Sequence, residues 1–171
     1  MQEIKISVTV FEYNNISELP EKDQRLMDLA LEAINSAYAP YSTYRVGAAV
    51  LLENGKIFTG NNQENMAYPS GLCAERVALF YAGSQYPDVA VRAIAITARA
   101  KEFEIDRPVA PCGACRQVMA ETEYRSQQKM RLVMMGETGK VQVIEGVDNI
   151  LPLMFHEENL IKEKQSGISF N

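Results

Sequence analysis

The sequence predicts a mixed, layered α/β domain, and three observations carry that prediction. Segments with the two-residue period of strands alternate with segments that have helical periodicity. No linker, internal repeat or low-complexity stretch separates them. The 171 residues also suffice to bury a substantial core. We therefore expect one domain over residues 1–171, with an N-terminal extension at 1–19 and a C-terminal tail at 157–171.

The first half of the chain contains clear periodic patterns. β-Branched residues occupy alternate positions from Ile4 to Val10, which predicts a strand with one buried face. A helix is expected to open at Pro20 and to end before Pro40, because small and apolar side chains recur there with helical spacing. The Asn54-Gly55 pair is a strong hairpin signal. The strands predicted in this half are Ile4–Tyr13, Arg45–Leu52 and Lys56–Gly60.

In the second half, strand and helix segments again follow one another after a polar loop at Asn61–Gly71. A charged loop at Ala98–Pro111 separates its two main helices. The helices predicted here run from Cys73 to near Gly83, over Cys112–Tyr124 and, in the tail, over Glu157–Lys164. The strands predicted here are Val89–Thr97, Met130–Met135 and Lys140–Ile144.

Charge and cysteine content narrow the class of protein. The 17 basic and 22 acidic residues give a formal net charge of −5, which argues against a nucleic-acid or anionic-membrane surface. The apolar run Val46–Leu52 is too short to span a bilayer, and the N-terminus does not have the pattern of a signal peptide. Three cysteines are an odd number, so a secreted disulfide framework is not expected. We expect a cytoplasmic protein.

The three cysteines lie in two short motifs that together predict a catalytic metal site. Cys73 opens a C-x-E motif, and Cys112, 39 residues later, forms a P-C-x-x-C motif with Cys115. Three thiolate ligands leave a tetrahedral Zn²⁺ one open position, where a water molecule can be activated. Glu75 can face that position without occupying it, which is the arrangement of the zinc deaminase signature.

The local context of the motifs supports thiolate chemistry. Both motifs fall at predicted helix N-termini, whose free N–H groups and positive dipole stabilise thiolates. Three thiolates and one Zn²⁺ sum to a net negative charge. Arg76 and Arg116 follow the motifs and are candidates to donate hydrogen bonds to the sulfurs and offset that charge.

Other interpretations of the cysteines stay open on these residues alone. A lone C-x-x-C is often a structural zinc site or a redox dithiol. A structural zinc site without an open position requires a fourth protein ligand. The chain has no fourth cysteine, and its only histidine, His156, lies far from the cysteines in the sequence. A redox dithiol would leave Cys73 and Glu75 without a role. A zinc-binding module without catalytic activity is the remaining alternative.

Four motifs in a fixed order resemble the small cytidine deaminases: Tyr41–Ala49 (YSTYRVGAA), Asn62–Asn65 (NQEN), Cys73–Arg76 (CAER) and Pro111–Gln117 (PCGACRQ). The resemblance implies a three-layer α/β/α sandwich with a mixed five-stranded sheet. It implies a homotetramer whose active sites are completed by neighbouring subunits. It further implies one Zn²⁺ per subunit, bound by the three cysteines, with the motif glutamate as proton shuttle.

The resemblance also implies the substrate and its contacts. Asn62 and Glu64 would bind the ribose hydroxyls, Tyr44 would pack against the pyrimidine, the Ala74 backbone would read the base edge, and Phe155 would reach into an adjacent subunit's site. We therefore expect hydrolytic deamination of cytidine and 2′-deoxycytidine, in pyrimidine salvage. Another aminopyrimidine nucleoside or a nucleoside antibiotic is the alternative substrate. The sequence departs from the family at the N-terminal extension, at Gln63, and at Tyr44, where phenylalanine is more usual.

Overall fold

A computed structural model of the chain describes residues 1–156, which form three helices and one sheet of six strands. The helices are α1 (Glu21–Ala33), α2 (Ala74–Gln85) and α3 (Gly113–Ser126). The strands are β1 (Phe11–Tyr13), β2 (Tyr44–Leu52), β3 (Ile57–Asn61), β4 (Val91–Ala100), β5 (Arg131–Met135) and β6 (Val141–Glu145).

The sheet is mixed and has the order β1-β6-β5-β4-β2-β3. Strands β4 and β5 pair in parallel, and the other pairs are antiparallel. The parallel pair needs a crossover connection, which α3 supplies. Short hairpins join β2 to β3 and β5 to β6, and Gly55 and Gly139 supply the positive φ angles of these turns.

Helices cover both faces of the sheet, as the three-layer prediction requires. Leu26, Met27 and Ala30 of α1 pack on one face, in a cluster that includes Ala49 and Val133. The other face packs against α2 and α3 through a second cluster of buried residues: Ala78, Leu79, Ala82, Met119, Val50, Ile94, Ile96 and Leu132. The strand segments are apolar on both faces because both are covered.

Two glycines let the helices approach the strands that carry the site. A Cβ atom on Gly47 of β2 would lie 2.0 Å from the carbonyl oxygen of Ala30. A Cβ atom on Gly60 of β3 would lie 2.6 Å from both the Ala74 carbonyl oxygen and the Ala78 nitrogen. The second contact brings the first turn of α2 directly onto the sheet, and that turn begins beside Cys73.

The N-terminal strand is much shorter than the predicted Ile4–Tyr13. Only Phe11–Tyr13 pairs with β6, and the alternating residues before it are exposed, from 79% at Ile4 to 43% at Val10. The partner strand β6 ends at Glu145 before the chain turns at Gly146, so in this register residues 4–8 have no residue of β6 opposite them. The short β1 is nevertheless the sixth strand, where the resemblance implied five.

The other predicted elements agree with the structure to within a few residues. Strand β4 continues past Thr97 because β2 pairs with it as far as Ala100. The helix predicted at Glu157–Lys164 lies outside the described residues. Within residues 1–156, none of the helices is both long and apolar enough to cross a membrane.

Candidate active site

The structure brings the three cysteine sulfurs together at the N-termini of two helices. Cys73 is the N-cap residue of α2 and Cys112 is the N-cap residue of α3, both with extended backbone, and Cys115 is buried in the first turn of α3. The Sγ atom of Cys112 lies 3.8 Å from that of Cys73 and 3.5 Å from that of Cys115. All three sulfurs lie within 4.8 Å of one another.

This spacing fits a zinc ion bound by three thiolates. Zn–S bonds of about 2.3 Å in tetrahedral geometry place the sulfurs about 3.8 Å apart. Within residues 1–156, these thiols are the one group of three or more Cys, His, Asp or Glu side chains close enough to hold an ion. His156 is exposed, and its ring packs against Tyr124 with the ring centroids 4.6 Å apart.

One of the three thiols, Cys73, favours the anionic state that a metal requires. A hydrogen bond from the Cys115 thiol and another from Arg76 lower the pKa of Cys73 to about 5. The same shared hydrogen, together with burial, raises the pKa of Cys115. Two helix N-termini direct their free N–H groups towards this cluster, which adds to the stabilisation of negative charge.

Glu75 is a buried carboxyl group in the wall of the cavity that contains this cluster. It lies in the first turn of α2, two residues after Cys73, and is 4% exposed. Burial raises the pKa of Glu75, and the negative charge of Cys73 acts in the same direction. A carboxyl group with a raised pKa is suited to proton transfer near neutral pH.

The cavity has a volume of about 800 Å³. Cys73, Cys112 and Glu75 lie in its wall together with Tyr44, Asn62 and Glu64. Tyr44 is half-buried there, and burial raises the pKa of its phenol, with a further contribution from the nearby Glu75 carboxylate. The structure therefore gathers in one cavity wall two of the three cysteines, Glu75, and three of the residues that the resemblance assigns to the substrate.

The side chain of Asn62 forms hydrogen bonds with the backbone of β2. Its Oδ1 accepts a hydrogen bond from the nitrogen of Val46 at 2.8 Å, and its Nδ2 donates to the carbonyl of Tyr44 at 2.9 Å. Each of these polar atoms retains one further hydrogen-bonding position. Asn62 thus fixes the strand segment that carries Tyr44, a task that the sequence did not indicate.

Glu64 is held by the turn that precedes β2. Its Oε2 accepts hydrogen bonds from the nitrogens of Tyr41 at 2.9 Å and Ser42 at 3.3 Å, and its Oε1 accepts one from the Ser42 hydroxyl. The Ser42 hydroxyl is the largest cause of a lowered pKa at Glu64, and the two backbone N–H groups contribute. Glu64 therefore remains ionised in the cavity wall.

A short backbone bridge ties this part of the cavity to the metal ligands. Gln63 and Leu72 exchange two hydrogen bonds, with N···O distances of 2.9 and 3.0 Å. Tyr38 bonds the backbone on either side of Gln63, accepting from Glu64 and donating to Asn62. Because Leu72 directly precedes Cys73, the bridge fixes the separation between the polar side chains and the sulfurs.

The two arginines that follow the cysteine motifs have different contacts. The Nη2 of Arg76 lies 3.9 Å from the Sγ of Cys73 and 3.4 Å from the carbonyl of Gly71. Arg116 instead donates to the carbonyls of Pro111 at 2.8 Å and Ile150 at 2.7 Å. Its predicted hydrogen bond to a sulfur is replaced by these two backbone contacts.

Ala74 and Phe155 lie apart from the wall of the cavity. Ala74 is fully buried as the first residue of α2, between two residues that line the cavity. Phe155 is 70% exposed beside α3, where its carbonyl accepts a hydrogen bond from the Nε2 of Gln117 at 3.0 Å. Within one subunit the structure does not bring Phe155 to the other site residues.

Comparison with known proteins places this cavity in a family. The sequence model of the cytidine and deoxycytidylate deaminase zinc-binding region matches residues 20–129. The cytidine deaminase of Sporosarcina psychrophila is 38% identical over 137 residues, which are 80% of this chain and 93% of the relative. That of Halalkalibacterium halodurans is 50% identical over 98 residues, which are 57% of this chain and 70% of the relative.

Solved structures agree with the sequence relatives. The crystal structure of cytidine deaminase from Burkholderia pseudomallei is similar with a TM-score of 0.68 and 37% identity, covering 80% of this chain and 100% of that one. The matched region contains the two cysteine motifs, and the sulfur spacing fits one zinc ion held by Cys73, Cys112 and Cys115. This chain belongs to the zinc-binding cytidine and deoxycytidylate deaminase family.

Proposed function

We propose that this protein catalyses the hydrolytic deamination of cytidine and 2′-deoxycytidine. One water molecule is consumed, ammonia leaves, and the products are uridine and 2′-deoxyuridine. The observation that carries the proposal is the burial of Glu75 beside three clustered thiols, in a cavity whose wall also presents an ionised carboxylate and an aromatic ring. The names of the relatives support the same reaction.

The cysteines and Glu75 divide the chemistry between them. Cys73, Cys112 and Cys115 would hold a zinc ion, which would supply Lewis-acid activation of a water molecule. Glu75 would accept a proton from the attacking water and donate it to N3 of the pyrimidine ring as the water oxygen bonds to C4. It would then take the proton of the new hydroxyl group on C4 and pass it to the amine, which leaves as ammonia while the C4 carbonyl forms. Its raised pKa suits these transfers, because a carboxyl group that is neither strongly acidic nor permanently protonated can both take and give a proton.

The polar wall of the cavity supports a nucleoside rather than a nucleotide as substrate. The ionised Glu64 would accept hydrogen bonds from sugar hydroxyls, and its charge would repel a phosphate group. Asn62 retains a free hydrogen and a free lone pair for the same sugar. The ring of Tyr44 supplies a face on which a pyrimidine can pack, and the Ala74 backbone remains the proposed contact to the base edge.

Glu75→Gln tests the proposed proton transfers. We expect the variant to bind one equivalent of zinc and to keep the wild-type melting temperature, while kcat for cytidine falls by at least about 1,000-fold. Ultraviolet absorbance would follow turnover, and metal analysis would confirm loading. Zinc-loaded Glu75→Gln with near-normal kcat would refute the role assigned to the carboxyl group.

We also propose a homotetramer whose sites are completed by Phe155 of a neighbouring subunit. The side chain of Phe155 is exposed while its backbone is anchored to α3, so the ring is presented outward. Light scattering of the unchanged protein should give a mass of four chains. Phe155→Ala should lower kcat/KM for cytidine without changing the zinc content. A fully active monomer would contradict this proposal.

Two further proposals concern the whole chain. The single sheet of residues 11–145 supports one domain. The cluster of free thiols supports a reducing, cytoplasmic location.

A further inference from the structure

We propose that Ser42 is a positioning residue that governs recognition of the sugar hydroxyls by orienting Glu64. This inference rests on the proposed function, because it assigns Glu64 to the sugar of a nucleoside. Ser42 is one of the residues lining the cavity, and its contacts go to two other members of the lining, Glu64 and Tyr44.

The first step concerns the orientation of the Glu64 carboxylate. The terminal torsion of a glutamate is broad, so hydrogen bonds to both oxygens are needed to fix the orientation of its carboxylate. Ser42 engages both: its backbone N–H donates to Oε2 at 3.3 Å, and its hydroxyl donates to Oε1. The nitrogen of Tyr41 adds a third hydrogen bond to Oε2. The two oxygens offer about four lone-pair positions and these bonds occupy three, so the fixed carboxylate retains a lone pair on Oε1 for a ligand.

The second step concerns the other side of the Ser42 hydroxyl. The same oxygen accepts a hydrogen bond from the nitrogen of Tyr44 at 3.0 Å. The hydroxyl therefore connects the residue proposed to bind the sugar with the first residue of β2, whose ring is proposed to pack on the base. Removal of this one oxygen frees one oxygen of Glu64 and leaves the Tyr44 N–H without this acceptor.

The third step concerns the turn that contains Ser42. Thr43 has a φ angle of +56°, an unfavourable conformation for a β-branched residue. Such a conformation persists only where surrounding contacts hold it, and it clusters at functional sites. The contacts here are the bond from the nitrogen of Thr43 to the carbonyl of Ala39 at 3.1 Å and the bonds between Ser42 and Glu64. The turn and the carboxylate thus hold each other in place.

The test compares two substrates that share a base and differ in the sugar. Cytidine carries both ring hydroxyls, and 2′,3′-dideoxycytidine carries neither. For zinc-loaded full-length Ser42→Ala, we expect kcat/KM for cytidine to fall about three- to tenfold, mainly through KM, because a hydrogen bond to a partly exposed charged group is lost. We expect a much smaller change with dideoxycytidine, which lacks the hydroxyls that Glu64 would bind, measured as a substrate or, where turnover is too slow, as a competitive inhibitor.

Matched variants separate positioning from a general structural effect. Ser42→Thr retains the hydroxyl and should restore most of the cytidine activity. Ser84→Ala removes a hydroxyl that donates to the Tyr81 carbonyl at the far end of α2, and it should match the wild type with both compounds. In the double variant, Ser42→Ala should add little to Glu64→Gln, because both remove the same oriented carboxylate.

The possible outcomes distinguish this inference from the proposed function. If Glu64→Gln affects both compounds equally, Glu64 does not recognise the sugar, and the sugar contact of the proposed function fails. Suppose instead that Glu64→Gln lowers kcat/KM for cytidine only. The role of Ser42 is then overturned if Ser42→Ala lowers kcat/KM equally for both compounds. It is also overturned if the effects of Ser42→Ala and Glu64→Gln on cytidine are fully additive in the double variant. Selective loss in Ser42→Ala with rescue by threonine supports the proposal.

Discussion

Arg76 directs its Nη2 to the Sγ of Cys73, three residues earlier, at a distance of 3.9 Å. The spacing places the guanidinium over the first turn of α2, where it can neutralise part of the charge of the thiolate cluster. The same group donates to the carbonyl of Gly71, so the side chain is held from two sides. A site with three thiolates has excess negative charge, and we propose that Arg76 offsets part of it together with the two helix N-termini.

Replacement of Arg76 by glutamine should weaken zinc binding. Loss of a donor to a metal-ligating side chain typically costs about 10–100-fold in metal affinity or activity. We expect the variant to release zinc to a competing chelator at correspondingly lower chelator concentrations, with the loss partly restored in Arg76→Lys. Equal zinc retention in the wild type and Arg76→Gln would contradict the charge-offset role.

Replacement of Arg116 by glutamine should instead lower stability. Its Nε and Nη1 bond the carbonyls of Pro111 and Ile150, which ties the segment before α3 to the chain after β6. Because these are charged hydrogen bonds at a partly buried site, their loss should cost about 2 kcal/mol of unfolding free energy. Denaturant unfolding would measure it. A zinc-affinity loss as large as that of Arg76→Gln, at unchanged stability, would reverse this assignment.

The contrast between these arginines marks a limit of prediction from sequence. Both arginines lie within three residues of a cysteine of the predicted metal site. Neither motif indicates which atoms the guanidinium group at the end of the side chain contacts. Arg76 lies one helical turn from Cys73 on the same face, whereas a carbonyl of the segment after β6 lies within reach of Arg116. That carbonyl comes from 34 residues away, and only the tertiary fold brings it there.

Local patterns were sufficient where one element is specified by its own residues. The helix face of α1, the Asn54-Gly55 hairpin and the starts of α2 and α3 at the cysteines were all predicted to within a few residues. The N-terminal strand was predicted too long because alternation specifies a potential strand and not its partner. Ser42 was missed because its role depends on a contact with Glu64, 22 residues away.

Breaking the ion pair that joins α1 to the sheet should destabilise the protein, because one partner is deeply buried. The Nε of Arg131 in β5 lies 2.9 Å from the Oδ2 of Asp23, whose side chain is 3% exposed. Asp23→Asn leaves the guanidinium without its buried counter-charge, so we expect a loss of about 3 kcal/mol in unfolding free energy. Glu145 contacts the same arginine but is half-exposed, so Glu145→Gln should cost less than about 1 kcal/mol.

Equal losses for these two variants in denaturant unfolding would contradict the dependence on burial. The comparison is matched, because both changes replace a carboxylate on Arg131 by an amide of the same size. Zinc content should be unchanged in both, since the pair lies on the α1 face and the thiols lie at the N-termini of α2 and α3.

Glu123 should make stability depend on pH in a direction opposite to that of most carboxylates. Its Oε1 accepts hydrogen bonds from the nitrogens of Met130 at 2.7 Å and Val147 at 3.1 Å, yet burial raises its pKa. A carboxyl group whose pKa is raised by folding makes its full contribution to stability at pH values below its ordinary pKa. That contribution is lost as the pH rises through the pKa of the folded state.

Glu123→Gln isolates this effect, because the amide oxygen can accept both backbone hydrogen bonds without becoming charged. Relative to the wild type, the variant should gain unfolding free energy as the pH rises from about 4.5 through the raised pKa, and the difference should then level off. Melting temperatures of both proteins across that range would measure it, and the subtraction removes the titration of the cysteines and other groups. A difference that stays constant or shrinks with rising pH would show that folding does not raise the pKa of Glu123.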